Sequence, residues 1–164
     1  SLWMIVGARA GIAVWGLGLP GHFVVRVGGQ EGSLVDPFGF GRTVTVKQCA
    51  KLVKRLSGSA WNDDYLKPVH CDDIAARVLR NLVVCYHRKH DAHAMYRMAR
   101  FGAAVFPLRP DMHLLHAQVA QVAELEPMAI HLYKELVGRF PGTSEARQAA
   151  AELSDMIDDS PSVH

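Results

Sequence analysis

Leu19-Pro20-Gly21-His22-Phe23-Val24-Val25-Arg26-Val27 is followed, after a glycine-rich turn, by Leu34-Val35-Asp36-Pro37-Phe38. The first run alternates around β-branched residues and the second repeats the pattern, so the two read as strands of an antiparallel hairpin. Closing it through Gly28-Gly29-Gln30 pairs Val27 with Glu31 and sets His22 directly opposite Asp36 on one sheet face. Phe23, Val25, Val27 and Val35 then share the opposite face, which is expected to be the core-packed one. An imidazole beside a carboxylate is two thirds of a nucleophilic triad, because the carboxylate holds the tautomer that takes up a proton. Asp36 has a second reading, since an Asp before Pro37 is a natural turn residue whose side chain bonds the backbone.

Around this hairpin the composition narrows the possibilities. The 164 residues are 49% hydrophobic, enough for a real core but short for two full-sized domains, so one domain with a helical appendage is expected. Eighteen basic residues against sixteen acidic ones leave a net charge of +2 with no long run of either sign, which argues against nucleic acid as partner. Cys49, Cys71 and Cys85 are too few and too scattered for a disulfide framework, and they favour a reducing, cytoplasmic setting. Ser1 to Leu19 is apolar, yet Arg9 and its glycines favour a buried helix and a turn into the sheet over a membrane span. The chain opens inside that apolar run, and Ser1 reads as a processing or fragment boundary rather than an N-terminal nucleophile.

Beyond the hairpin, Thr45-Val46-Lys47-Gln48 has the form of a capping box. It predicts a helix to about Leu56 with Cys49, Leu52, Val53 and Leu56 on one face. Ser57 to Lys67 reads as a linker with Trp61 and Tyr65 lying on the core. From Asp72 onward the pattern is helical, and it repeats: Phe106-Pro107 recurs as Phe140-Pro141, 34 residues later, the period of a tetratricopeptide hairpin. Pro110–Leu125 and Pro127–Phe140 are the two expected helices, with flanking helices at Ala92–Val105 and Ser144–Ile157. Leu114, Ala117, Val119 and Val122 are expected to face Ala129, Leu132, Tyr133 and Leu136. Phe106 and Phe140 should hold equivalent, buried places, the array should dock on the first region through the Asp72 to His87 helix, and residues 159–164 should form a disordered tail.

Taken together, these motifs resemble the bacterial SirB family, which joins a transglutaminase-like domain to tetratricopeptide-like helices. The matching residues are Ser1-Leu2, Val6, Arg9, Gly11-Ile12, Gly16-Leu17, Leu19-Pro20-Gly21-His22-Phe23, Val25-Arg26 and Leu34-Val35-Asp36-Pro37-Phe38. To these add Arg77-Val78-Leu79-Arg80-Asn81-Leu82 and Asp91. The resemblance implies an α+β fold: a partial, papain-like transglutaminase core over residues 1–68, incomplete at its N-terminus, and an all-helical extension over 69–158. It carries a Cys-His-Asp triad's His role to His22 and its Asp role to Asp36, and puts the Cys at or a few residues before Ser1, at the start of the helix preceding the sheet. No cysteine of the chain precedes His22.

The other candidates have plain structural readings beside chemical ones. Cys71 sits at a helix start, where the dipole favours a thiolate. His87, His90 and His93 after Cys85 have spacing that could gather around zinc, but Asp91 as a helix N-cap makes this a solvated helix junction, and no metal site is assigned. His113, His116 and His131 lie on the repeat helices and could face a partner or pack at the core edge. Three function classes follow. The first is a non-catalytic module whose helices bind a protein or peptide; the second is a cysteine-dependent acyl transferase or protease with its thiol ahead of Ser1; the third is a metal-binding regulator. The first needs no residue that the sequence lacks; none calls for an organic cofactor, and the oligomeric state stays open.

Overall fold

The computed structural model describes residues 2–158. Ser1 and the expected tail, 159–164, lie outside them. By its internal contacts the chain divides into one unit ending at Ile74 and a second beginning at Ala75. The first is α+β, the second wholly helical.

In the first unit, helix α1 (Leu2–Arg9) leads into strands β1 (Val14–Leu19), β2 (His22–Val27), β3 (Ser33–Asp36) and β4 (Arg42–Thr43). They form one antiparallel sheet in sequence order. β1 and β2 are joined by Pro20-Gly21, with Gly21 at φ 74°. Proline presets the first turn residue and glycine takes the left-handed second one. β1 pairs with the whole of β2, from Val14 opposite Val27 to Leu19 opposite His22.

The β2–β3 hairpin closes differently from the sequence expectation. Val27 pairs with Ser33 and Val25 with Val35, so the loop is five residues, Gly28 to Gly32, rather than three. The register is therefore two residues further on, and Asp36 falls beside Val24 instead of His22. A shift of two keeps the parity, so His22 and Asp36 still share a face and become diagonal neighbours. Gly32 N–H donates to Gly29 O, and Arg26 Nη1 donates to Gln30 O. A Cβ on Gly32 would lie 2.1 Å from Val27 O, a backbone atom that cannot step aside. Gly32→Ala is therefore expected to open the hairpin end, at a cost of about 2 kcal/mol or more. A thermal melt unchanged from the parent would refute that loop geometry.

Both sheet faces are packed. Phe23, Val25 and Val35 form a cluster with Val14, Val27, Val69, Ile74 and Met4 of α1. On the other face Leu17, Leu19, Val24 and Leu34 meet Cys49 and Val53 of helix α2 (Val46–Ser57), with Trp61, Tyr65 and Leu66 at the edge. The face of His22 and Asp36 is thus also a core face, with that pair at its end. Thr45 makes the expected capping box: its hydroxyl accepts from Gln48 N–H, and Gln48 Oε1 accepts from Thr45 N–H at 2.7 Å. A single 3-10 turn, Asp63–Leu66, carries Tyr65.

Helix α3 (Cys71–Arg88) begins in the first unit and runs into the second, which continues with α4 (Ala92–Val105), α5 (Pro110–Val122), α6 (Glu126–Arg139) and α7 (Ser144–Asp158). Phe106 and Phe140 cap α4 and α6 identically. Their φ/ψ values are −117°/65° and −124°/53°, and each N–H donates to the carbonyl four residues back, at Gly102 and Leu136. Both rings are half-buried rather than buried, and Phe140 lies against His113, ring centroids 5.2 Å apart. α5 stops three residues short of expectation, where the chain turns at Glu124 with φ 58°. The α5–α6–α7 core is Leu114, Ala117, Ala120, Ala129, Tyr133, Leu136, Ala146 and Ala149. Val119 instead joins Val83, Met95 and Ala99, and Val122 is exposed. At 100° per residue Ala117 and Ala120 continue the stripe that Leu114 starts, and Val119 falls on the side turned to α3 and α4.

Candidate functional site

His22 stands immediately after the Pro20-Gly21 turn and Asp36 at the last position of β3, so two turns deliver both side chains to one end of the sheet. His22 Nε2 is 3.0 Å from Asp36 Oδ1, with each side chain about 15% exposed. The in-line geometry of a hydrogen bond is not met, and the buried Nε2 has no other partner among the described residues. The same Oδ1 accepts Phe38 N–H at 2.9 Å, the turn bond that Asp before Pro favours. Asp36 is thus both a turn residue and the neighbour of an imidazole. With the carboxylate at Nε2, Nδ1 is the ring nitrogen left to accept a proton from a nucleophile.

Aromatic side chains rim the pair. The Phe38 ring is tilted over His22 with centroids 5.7 Å apart. After Gly39 comes Phe40, at φ 60° and 94% exposed. Trp3, in the first turn of α1, lies so close to Gly41 that a Cβ there would be 3.1 Å from its ring. Sequence reasoning missed this rim, for which the Phe38-Gly39-Phe40-Gly41 run is the available signal. Its meeting with Trp3 carries no local signal.

The thiols do not complete a triad in these residues. Cys49, in the first turn of α2, is fully buried within the apolar cluster on the pair's face. Burial pushes its pKa above the usual thiol value, and the charge of Asp36 pushes it further the same way. A reactive cysteine needs the opposite, a stabilised thiolate. Cys71, the first residue of α3, and Cys85, inside α3, are exposed.

In the helical unit the three histidines diverge. His113 is half-buried with Nε2 3.1 Å from Pro107 O, and His131 is exposed. His116 is 8% exposed, its Nε2 has no partner among the described residues, and its ring lies 5.2 Å from that of Tyr96. It is an interior residue of the helical unit. Asp91 caps α4, accepting Ala94 N–H at 2.9 Å, as its position suggests. Among the described residues no three His, Cys, Asp or Glu side chains are placed to hold a metal ion, the His87 to His93 run included. Sequence reasoning missed one polar cluster: Asp111 receives Arg80 at 2.6 Å and Arg109 at 3.1 Å. Burial alone would raise the Asp111 carboxyl, and the two guanidinium groups hold it below its ordinary value. No described helix is long and apolar enough to cross a membrane.

Residues 1–80 match the family model of the transglutaminase-like superfamily. The chain is also similar to two curated proteins of Xylella fastidiosa, each named UPF0162 protein. One, from strain 9a5c, is 37% identical over 112 residues, covering 65% of the chain and 39% of that protein. The other, from strain Temecula1, is 27% identical over 169 residues, covering 97% of the chain and 59% of that protein. The chain thus spans between two fifths and three fifths of the length of these relatives. No solved structure matches it significantly.

Proposed function

We propose that this chain is a non-catalytic protein-interaction module, in which a transglutaminase-like sheet keeps a relic imidazole–carboxylate pair and tetratricopeptide-like helices bind a protein or peptide. The observation that carries this reading is Cys49: the thiol on the pair's face is sealed in the core and made harder to ionise. The identical Phe106 and Phe140 caps, 34 residues apart, support the repeat reading of the helices. The Pro20-Gly21-His22-Phe23 and Asp36-Pro37-Phe38 segments support a SirB-type member, and the free cysteines support a cytoplasmic setting.

One observation favours a second reading. The first turn of α1 lies against Gly41, in the loop that follows Asp36. A thiol ahead of α1 would arrive at the end of the sheet that carries the pair. There a thiolate would attack a carboxamide carbonyl, with His22 taking the thiol proton and returning it to the departing amine, and Asp36 orienting His22. Timed alkylation of the full-length protein, in which any thiol ahead of α1 is present, distinguishes the two. The module reading expects no cysteine to react faster than in the unfolded chain, and no change of rate in His22→Ala. Fast labelling of one cysteine that collapses in His22→Ala would replace it with the enzyme reading.

A further inference from the structure

Residues 37–62 contain five basic side chains, Arg42, Lys47, Lys51, Lys54 and Arg55, and no acidic one, which leaves thirteen basic against sixteen acidic residues in the rest of the chain. The small net charge of the whole conceals this local excess. Four of the five belong to helix α2, whose Cys49 and Val53 side is buried against the sheet. At about 100° per residue, Lys47, Lys51, Lys54 and Arg55 fall within a sector of about 100° on the opposite side, in a stripe about 12 Å long. All four are exposed, and among the described residues none forms an ion pair.

The stripe works against its own helix. Lys47 stands in the first turn, where the helix dipole favours an anion, and that turn holds no acidic residue. Lys47 with Lys51, and Lys51 with Arg55, are four residues apart, and Lys51 with Lys54 three apart, the spacings at which like charges on a helix repel. Solvation requires none of this, because interleaved acidic and basic residues solvate a helix face equally well and stabilise it. A local rule broken with no local compensation marks a surface kept for something else.

We propose that the outer face of α2 docks an acidic helix of a partner protein, one that carries Asp or Glu three and four residues apart so that its carboxylates meet the four cations in register. An acidic helix laid along α2 has the same rise per residue as the stripe it faces. The apolar side of α2 is already packed on the sheet, so the helix has nothing to insert into a lipid surface. A nucleic-acid duplex carries a charge about every 1.7 Å and runs far past a stripe about 12 Å long, while outside residues 37–62 the chain has more acidic than basic residues. An acidic helix of similar length avoids that mismatch. Exposed pairs of this kind are individually weak, and their part in an interface is partner choice and association rate. The surface lies in the first unit and does not depend on what the repeat helices bind.

Fluorescence anisotropy of a labelled, helix-forming peptide with Glu at the matching spacing, titrated with the full-length protein, tests this. The expected result is saturable binding at low salt that weakens at least tenfold on going from about 20 mM to about 200 mM salt, and no binding of the same peptide with Gln in place of Glu. Lys51→Glu is the decisive variant. It turns both four-residue repulsions into attractions, so the melting temperature should rise at low salt, while affinity for the peptide should fall at least tenfold. A face that is only solvated would show the first effect without the second. Lys51→Arg keeps the charge and should keep the affinity. Equal affinity for the Glu and Gln peptides would overturn the proposal, as would an affinity that Lys51→Glu leaves unchanged. Tighter binding of duplex DNA than of the Glu peptide would overturn it too, and would make the face a nucleic-acid surface.

Discussion

Replacing Tyr133 with alanine is expected to lower the stability of the helical unit by about 3–5 kcal/mol. The side chain is fully buried, central to the α5–α6–α7 core, and its hydroxyl donates to Gln121 Oε1 at 2.7 Å. Two terms separate by substitution. Tyr133→Phe keeps the ring and removes the hydrogen bond, at about 1 kcal/mol, because half-buried Gln121 can turn to water. The remaining loss in Tyr133→Ala is the cavity between three helices. Denaturant titrations followed by helical ellipticity measure both, and a Tyr133→Ala cost below 1 kcal/mol would contradict the packing described. Burial, helped by the charge of Glu152, also pushes the phenol up to about 12. The folded phenol therefore holds its proton where the unfolded one, near 10, has released it. That stability is complete below pH 10 and is lost as pH rises toward 12.

Local signals carried much of this architecture. Gln48 three residues after Thr45 located α2, and the Phe-Pro pairs marked the ends of α4 and α6. The β2–β3 register was not legible, and the reason is physical. Alternation with period two fixes which residues share a face, so it separates registers that differ by one residue but not those that differ by two. Choosing between three and five loop residues depends on whether Gly28, Gly29 and Gly32 fold as a wider turn, and glycine accepts either. Parity nevertheless sufficed to bring His22 to Asp36. The reading of α5 failed differently. Val119 is more apolar than Ala120, but angular position decides which cluster a residue joins. The Arg80–Asp111 pair, 31 residues apart, has no sequence signature because its members meet only through packing.

His116 makes the helical unit acid-sensitive, and its removal is expected to abolish that component. The imidazole is buried between α4 and α5, where Nε2 finds no partner, and burial is the first cause that pushes its pKa down to about 4. Nearby positive groups, His113 on α5 and Arg100 on α4, push the same way, and Glu135 on α6 only partly opposes them. An unfolded histidine titrates near 6.5, so between pH 6.5 and 4 the unfolded chain binds a proton that the folded chain refuses. Stability therefore falls as pH drops through that window and levels off below it, a loss of about 3 kcal/mol from this residue. His116→Leu has similar volume, carries no proton, and at pH 7 removes a buried nitrogen that lacks a hydrogen bond. It should match or exceed the parent at neutral pH. Other groups titrate in both proteins, so the informative quantity is the difference between them: the His116→Leu advantage should grow steadily from pH 6.5 to 4. If the two stability curves stay parallel over that interval, His116 is solvated, and the α4–α5 interface is more open than its packing indicates.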